Sequence, residues 1–338
     1  MTQIATHDAR YTGLETAAHA AADKWHIIGK QLDVKATADE VLATAGINWT
    51  VSKQPLRSRI FHDKEDTGID VPVPGKYALV RDTDHKVFDV VGKDWKQVQN
   101  SDVAAFFDGF IKAGNLTPHA AGATQEGRNV FFVAKINKSF KFLGTDVNEG
   151  LLCFTNPHKH GSCVSVRLMG NRLWCANQIG IDIGGRGDSV RFTHVARNGF
   201  RVDLAQKIIG LSIAAFDQYE QQAHILAGGK ATPAQIETYF RKVWGLEKPG
   251  EGTEPKLAKE IEDRNQEALV RIYDAHNNQP GIECGKGTWW HAVNSVTYIT
   301  DHLGRGDEAR AFHTAQFGAG AERKRKGLAL ALEYAKAA

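Results

Sequence analysis

Two hydrophobic periods divide the chain. Up to about residue 202 apolar positions recur every second residue, and beyond it every third or fourth. That spacing predicts an α+β fold, an antiparallel-sheet N-terminal part with packing helices followed by an all-helical C-terminal part. Residues 1–30 are Ala-rich and polar and read as an N-terminal arm or weak helix ending near Gly29. Residues 31–202 form the mixed sheet domain and residues 203–338 the helical region.

Within the first half, Thr37 and Glu40 are spaced as a capping box, Val41, Leu42 and Ala45 form a short apolar stripe, and Gly46 closes the helix. Ile47, Trp49 and Val51 alternate with polar residues, predicting a strand that Pro55 ends, and residues 62–75 read as an exposed loop. KYALVRD and KVFDVVG, separated by Thr83, Asp84 and His85, predict a hairpin. Ser101 is placed to cap a helix that gathers Val103, Phe106, Phe107, Phe110 and Ile111 on one face. NVFFVAKI, LLCFTN and SCVSVRLMGNRLWCANQI supply further strands. In the second half LAQKIIGLSIAAFDQYEQQAHILA reads as one long helix. TPAQIETYFRKVWG follows, with Thr232 as N-cap, Pro233 in the first turn and Gly245 at the end. PKLAKEIEDRNQEALVRIYDAH, TWWHAVNSVTYITDHLG and ERKRKGLALALEYAKAA predict three more. No internal repeat is present.

With 338 residues, 42% hydrophobic and 24% charged, the composition excludes a wholly disordered, collagenous or coiled-coil chain. No apolar run approaches the ~18 residues of a membrane span, residues 1–30 lack a signal-peptide pattern, and the four cysteines read as reduced thiols. A cytoplasmic protein without membrane contact is the expectation.

The net charge of +3 hides an asymmetry. Residues 151–210 carry 8 Lys+Arg against 3 Asp+Glu, while the segments on either side are each one charge negative. Six of the eight are arginines: Arg167, Arg172, Arg186, Arg191, Arg197 and Arg201. A guanidinium is a planar fork that suits phosphate and stacks on bases. Two readings are open, a solvated sheet face neutralised from elsewhere in the fold and a polyanion-binding surface.

Motifs of other chemistries are weak or missing. Cys153, His158, His160 and Cys163 cluster as soft ligands would, with Cys175 further on, but the spacing matches no zinc finger or knuckle and suits a β-hairpin, so no metal is expected. GIDIGGRGD is neither a dinucleotide fingerprint nor a P-loop, nucleophile elbows and zinc-protease helices are lacking, and no cofactor is expected. Asp301 and His302 could pair as acid and imidazole. Trp289, Trp290 and Tyr298 have the spacing of helix core.

Several segments fall into a distinctive order: WHIIGK, TADEVLATAGINWTVSKQPL, YALVRDTDHKVFDVVGKDWKQVQN, LLCFTNPHKHGS, VSVRLMGNRLWCANQI, RFTH and GTWWHAVNSVTYITDH. Together they resemble the phage/plasmid-like family of uncharacterised proteins, from about Trp25 to His302. Where that family has Val-Cys-Gln-Asn-Thr, this chain has Trp174, Cys175, Ala176, Asn177 and Gln178. The layout, a helix running into a strand through Gly46 and Trp49, then hairpins and a packing helix, is also similar to the core of Rad52-like single-strand annealing proteins. That likeness implies single strands threaded along a basic groove of a homo-oligomeric ring or filament.

The resulting expectation is a phage- or plasmid-encoded protein that binds or anneals single-stranded DNA in replication or recombination, in the host cytoplasm. Lys159, Arg167, Arg172, Arg186, Arg191, Arg197 and Arg201 would contact phosphates, with His158 and His160 auxiliary. The alternative is an enzyme or host-interaction factor using His158, His160 and Cys163, or Asp301 and His302.

Overall fold

The computed structural model describes residues 25, 28–33, 35–61, 68–112, 116–173, 175–183, 189–192, 202–246, 248–250, 252–304 and 306–337. A two-residue strand, β1 (Lys30–Gln31), precedes α1 (Ala38–Thr44), whose capping box forms as the sequence predicts: the Thr37 side chain accepts from the Glu40 backbone N–H and Glu40 accepts from that of Thr37. Next come β2 (Val51–Ile60), β3 (Ile69–Arg81) and β4 (Val87–Gly92), a three-stranded antiparallel sheet in that order.

Two expectations change here. Pro55 does not end β2, and much of the segment expected to be loop is strand, because residues 57–60 pair with residues 69–72 in a two-stranded ribbon. Pro55 is tolerated on an edge strand at a register shift. Gly75, at φ +67°, supplies the left-handed residue that such an irregularity needs. The helix α2 (Asn100–Lys112) buries Val103, Phe106, Phe107 and Phe110 as predicted but begins one residue before Ser101, with Asp102 accepting from the Gln99 N–H.

The larger sheet contains β5 (Leu116–Thr124), β6 (Asn129–Phe142), β7 (Asp146–Pro157), β8 (Val164–Arg172), β9 (Asn177–Gly180) and β10 (Ser189–Phe192). Its order is β1-β5-β6-β7-β8-β10, all antiparallel, with β9 beside the far end of β8. Both faces are covered, which is why NVFFVAKI and LLCF are nearly continuous in apolar residues. Phe132, Leu152, Phe154, Val166 and Leu168 join the main core with α2, while Phe131, Val133, Leu151, Cys153 and Met169 meet Trp25 and Phe312 in a second, smaller core. Trp25, fully buried and edge-on to Phe131 and Phe312, extends the packed structure back into the segment read as an arm. Burial pushes the Cys153 thiol up to about 12.

The helical half comprises α3 (Val202–Gly228), α4 (Pro233–Trp244), α5 (Pro255–Asn278), α6 (Trp289–His302), α7 (Glu308–Phe317) and α8 (Ala319–Ala337). None of the described helices is long and apolar enough to cross a membrane. Thr232 caps α4 and Gly245 ends it in the left-handed conformation. The helix α3 lies close on the sheet because Gly150 and Gly170 face each other across β7 and β8. A Cβ at Gly170 would sit 2.6 Å from the Tyr219 ring.

Buried charge joins the two halves. Asp146 at the start of β7 accepts from Arg172 Nε at 2.9 Å and from the Trp290 indole at 2.9 Å, while Arg172 also donates to the Gly281 carbonyl. Asp301 on α6 accepts from Lys324 Nζ of α8 at 2.6 Å and from the Gln178 backbone N–H of β9 at 2.8 Å. Between α5 and α6 the His276 and His291 rings stack at 3.8 Å; His276 Nδ1 meets Ser295 Oγ at 2.7 Å and His291 Nε2 donates to the His276 carbonyl at 2.8 Å. Burial, helped by the neighbouring His291, lowers His276 to about 3.

Replacing Lys324 by Met leaves Asp301 as an uncompensated buried charge and should cost about 3–5 kcal/mol in a urea melt, with part of the loss recovered when Asp301→Asn is added. A loss below ~1 kcal/mol would show that the pair does not hold the halves together. The stacked histidines give a second expectation. The folded chain keeps His276 neutral down to about 3, whereas the unfolded chain takes up a proton near 6.5. Between those values the unfolded state binds more protons, so stability falls as pH drops, by about 2 kcal/mol from pH 6.5 to 5 for this one group. His276→Gln should flatten that pH dependence, and an unchanged slope would sink the assignment.

A cationic cleft as the candidate functional site

The strand pair β8 and β10 carries the same tripeptide, Ser-Val-Arg, at residues 165–167 and 189–191. Antiparallel pairing sets Arg167 opposite Ser189 and Arg191 opposite Ser165. Alternation sends Val166 into the main core and the serines and arginines to the other face of the sheet. Thr155 of β7 lies on that same face, its hydroxyl 2.7 Å from that of Ser165. The three hydroxyls floor a cleft of about 350 Å3.

Three walls enclose this floor. The turn between β7 and β8 brings Lys159 and Cys163, a 3-10 turn at residues 125–127 with Arg128 forms the second, and α7 contributes His313 and Phe317. Arg167 is half-buried, donates to the Gln316 backbone carbonyl at the end of α7, and lies 6.0 Å from the Phe317 ring centroid. Arg128, Lys159 and Arg191 are exposed. Four cations therefore converge, and among the described residues no carboxylate lines the cleft. Glu126, next to the lining residue Gln125, is ion-paired to Lys86.

His313 sits within this positive field. Its Nδ1 lies 3.1 Å from Thr124 Oγ1 and its Nε2 lies 2.8 Å from Gln125 Nε2. Burial first, and then the charge of Lys159, lowers its pKa, so the ring favours the neutral form and joins the wall as a polar aromatic surface.

The cleft unites Lys159, Arg167 and Arg191 of the expected contacts and divides them from two others. Arg172 is buried and holds Asp146. His158 is fully buried beside Trp49 and Phe88, its Nε2 3.0 Å from Asn100 Oδ1. Neither can reach a phosphate, because both lie on the core-facing parity of their strands. His160 is exposed beside the cleft, its backbone N–H donating to Asp89. Arg186, Arg197 and Arg201 lie outside the described residues. Sequence reasoning missed Arg128, His313 and Phe317, which reach the cleft from segments that carry no charge excess.

The soft-ligand cluster is dispersed: Cys153 lies in the smaller core, His158 in the joint between the two sheets and Cys163 in the cleft. Among the described residues no three His, Cys, Asp or Glu side chains stand together as a metal site. Asp301 is buried against Lys324, so it is no accessible acid for the neighbouring His302 to work with.

No curated protein and no solved structure matches the chain. Residues 87–328 match the family model described as a domain of unknown function, DUF932, which runs from the start of β4 into α8 and contains every residue of the cleft. That span exceeds two thirds of the 338 residues, and the chain belongs to the DUF932 family.

Proposed function

We propose that the cleft is a polyanion site and that the protein binds single-stranded nucleic acid there. The observation that carries the reading is the convergence of Arg128, Lys159, Arg167 and Arg191 on one cleft that, among the described residues, no carboxylate lines. Cations from two strands and two turns converge over strand hydroxyls that present neutral donors between them, and Phe317, under the Arg167 guanidinium, adds an aromatic group to the wall. That pairing of phosphate contacts with a stacking surface is how single strands are held without sequence readout. The resemblance to phage/plasmid-like proteins and, in layout, to Rad52-like annealing proteins points the same way. On this reading the chain is carried by a phage or plasmid and acts in replication or recombination in the host cytoplasm as a homo-oligomer.

Each neutralised phosphate releases condensed counterions, so the salt dependence of binding counts the contacts. Replacing exposed Arg128, Lys159 and Arg191 by Ala should reduce the slope of log affinity against log salt by about 0.7 per residue, about 2 units in all, for a single-stranded oligonucleotide. A parent that binds no oligonucleotide at low salt, or a triple variant with the parent's slope, refutes the proposal.

The same reading separates two arginines, Arg172 and Arg191. Arg191→Ala, at the exposed edge, should leave the urea midpoint within the range of ~0.5 kcal/mol typical of surface changes and weaken binding. Arg172→Ala should cost about 3–5 kcal/mol by leaving Asp146 buried and unpaired. Equal destabilisation by the two would show that the cleft arginine is structural.

A further inference from the structure

We infer that the cleft takes a nucleotide's phosphomonoester, the group found at the 5′ end of a strand or on a free nucleotide, in preference to an interior phosphodiester. The inference rests on the polyanion reading of the cleft and sharpens it.

Size is the first argument. A cleft of about 350 Å3 lies at the low end of sites that hold one small molecule, and it is bounded by the 3-10 turn, the β7–β8 turn and α7. It has room for one nucleotide unit on its floor.

Charge is the second. An interior phosphodiester carries one negative charge and two free oxygens, whereas a terminal phosphate carries about −1.5 to −2 at pH 7 and three strong acceptor oxygens. The exposed cations Arg128, Lys159 and Arg191, even without Arg167, exceed what a single monoanion needs. They match a dianion approached from several directions.

The donor geometry is the third. Arg167 and Arg191 stand diagonally across the β8–β10 pair, so their forks can grip different oxygens of one group. Ser165 and Ser189 lie between them on the same face as short neutral donors. Arg128 and Lys159 close over the floor from two turns. Phe317, its ring under the Arg167 guanidinium, and His313 one helical turn away on α7 give this wall an aromatic edge where the base of that same nucleotide would lie.

The test compares three ligands of one sequence: a single strand with a 5′-phosphate, the same strand with a 5′-hydroxyl, and its covalently closed circle. The dye of the linear strands is at the 3′ end and that of the circle on an internal base. The phosphorylated strand should bind about tenfold more tightly than the other two, the equivalent of one further charge-assisted hydrogen bond. Arg191→Ala and Lys159→Ala, both exposed and so expected to fold, should bring its affinity down to that of the hydroxyl strand. A nucleoside 5′-monophosphate then distinguishes the sources: competition at millimolar concentration assigns the site to free nucleotides, and its failure to compete assigns the site to strand ends. Equal affinity for all three strands overturns this inference and leaves nucleic-acid binding standing. Binding of the monophosphate with no binding of any strand leaves the phosphomonoester site standing and removes the nucleic-acid reading. Absence of binding by every ligand removes both.

Discussion

Asp301 holds a carboxylate where water is excluded, and the groups that satisfy it come from three other elements. Lys324 of α8 supplies the counter-charge, the Gln178 N–H of β9 and the Gln316 amide of α7 donate hydrogen bonds, and α6 carries the acid itself. A buried ion so placed is strongly selective, because displacing any partner exposes a desolvated charge. Gln178 continues the chain of contacts by accepting from the Trp25 indole at 2.8 Å, so the smaller core is tied to the same centre. Gln316 extends it in the other direction: its side chain reaches Asp301 while its backbone carbonyl accepts from Arg167. One residue thus couples the centre of the molecule to the cleft, and the position of α7 over the sheet follows from that coupling.

Asp146 plays the matching part beside Arg172, the last residue of β8. Arg172 and Trp290 clamp it from strand and helix, and Tyr219 closes in over Gly170. Burial raises the Tyr219 phenol far above its usual range, with the Asp146 charge adding to the effect. Two arginines of one strand therefore have different duties. Arg172 neutralises Asp146 in the interior, whereas Arg167 reaches the other face and donates to the Gln316 carbonyl at the end of α7.

Much of this was legible as periodicity, and what was not legible has physical causes. The capping box at Thr37, the helix face from Val103 to Phe110 and the Thr232–Gly245 helix could be read from sequence because each is fixed by contacts only a few residues apart. The strand β5, LTPHAAGAT, escaped because small residues sandwiched between neighbours lack the β-branched and aromatic signature of a strand. The ribbon across Pro55 escaped because a bulge, set by the partner strand, overrides the usual stop. For the charged residues the missing step was parity. In β8 the even positions 164, 166 and 168 are core, which places Arg172 inside and Arg167 outside. In β7 the even positions 154 and 156 are buried, and the alternation runs past the strand end to place His158 inside and Lys159 in the cleft. Arg128, His313 and Phe317 had no such signal, since their meeting depends on tertiary contacts between α7 and the 3-10 turn.

Gathering like charges opposes folding. At effective dielectric constants of the protein surface, two cations ~8 Å apart would repel by about 2 kcal/mol before salt screening, so cations lining one cleft work against one another. Among the described residues, the acids Glu126 and Asp84 are engaged by Lys86 and Arg81, and His313 is shifted towards its neutral form. Arg167 is carried on β8, which Arg172 anchors to buried Asp146, and it donates to the end of α7, which Gln316 ties to Asp301. A rigid frame that keeps positive groups close also lowers the reorganisation needed when an anion enters. The buried ion pairs and the cleft are therefore two halves of one arrangement, in which desolvated charge in the interior stabilises a field that the surface alone would not sustain.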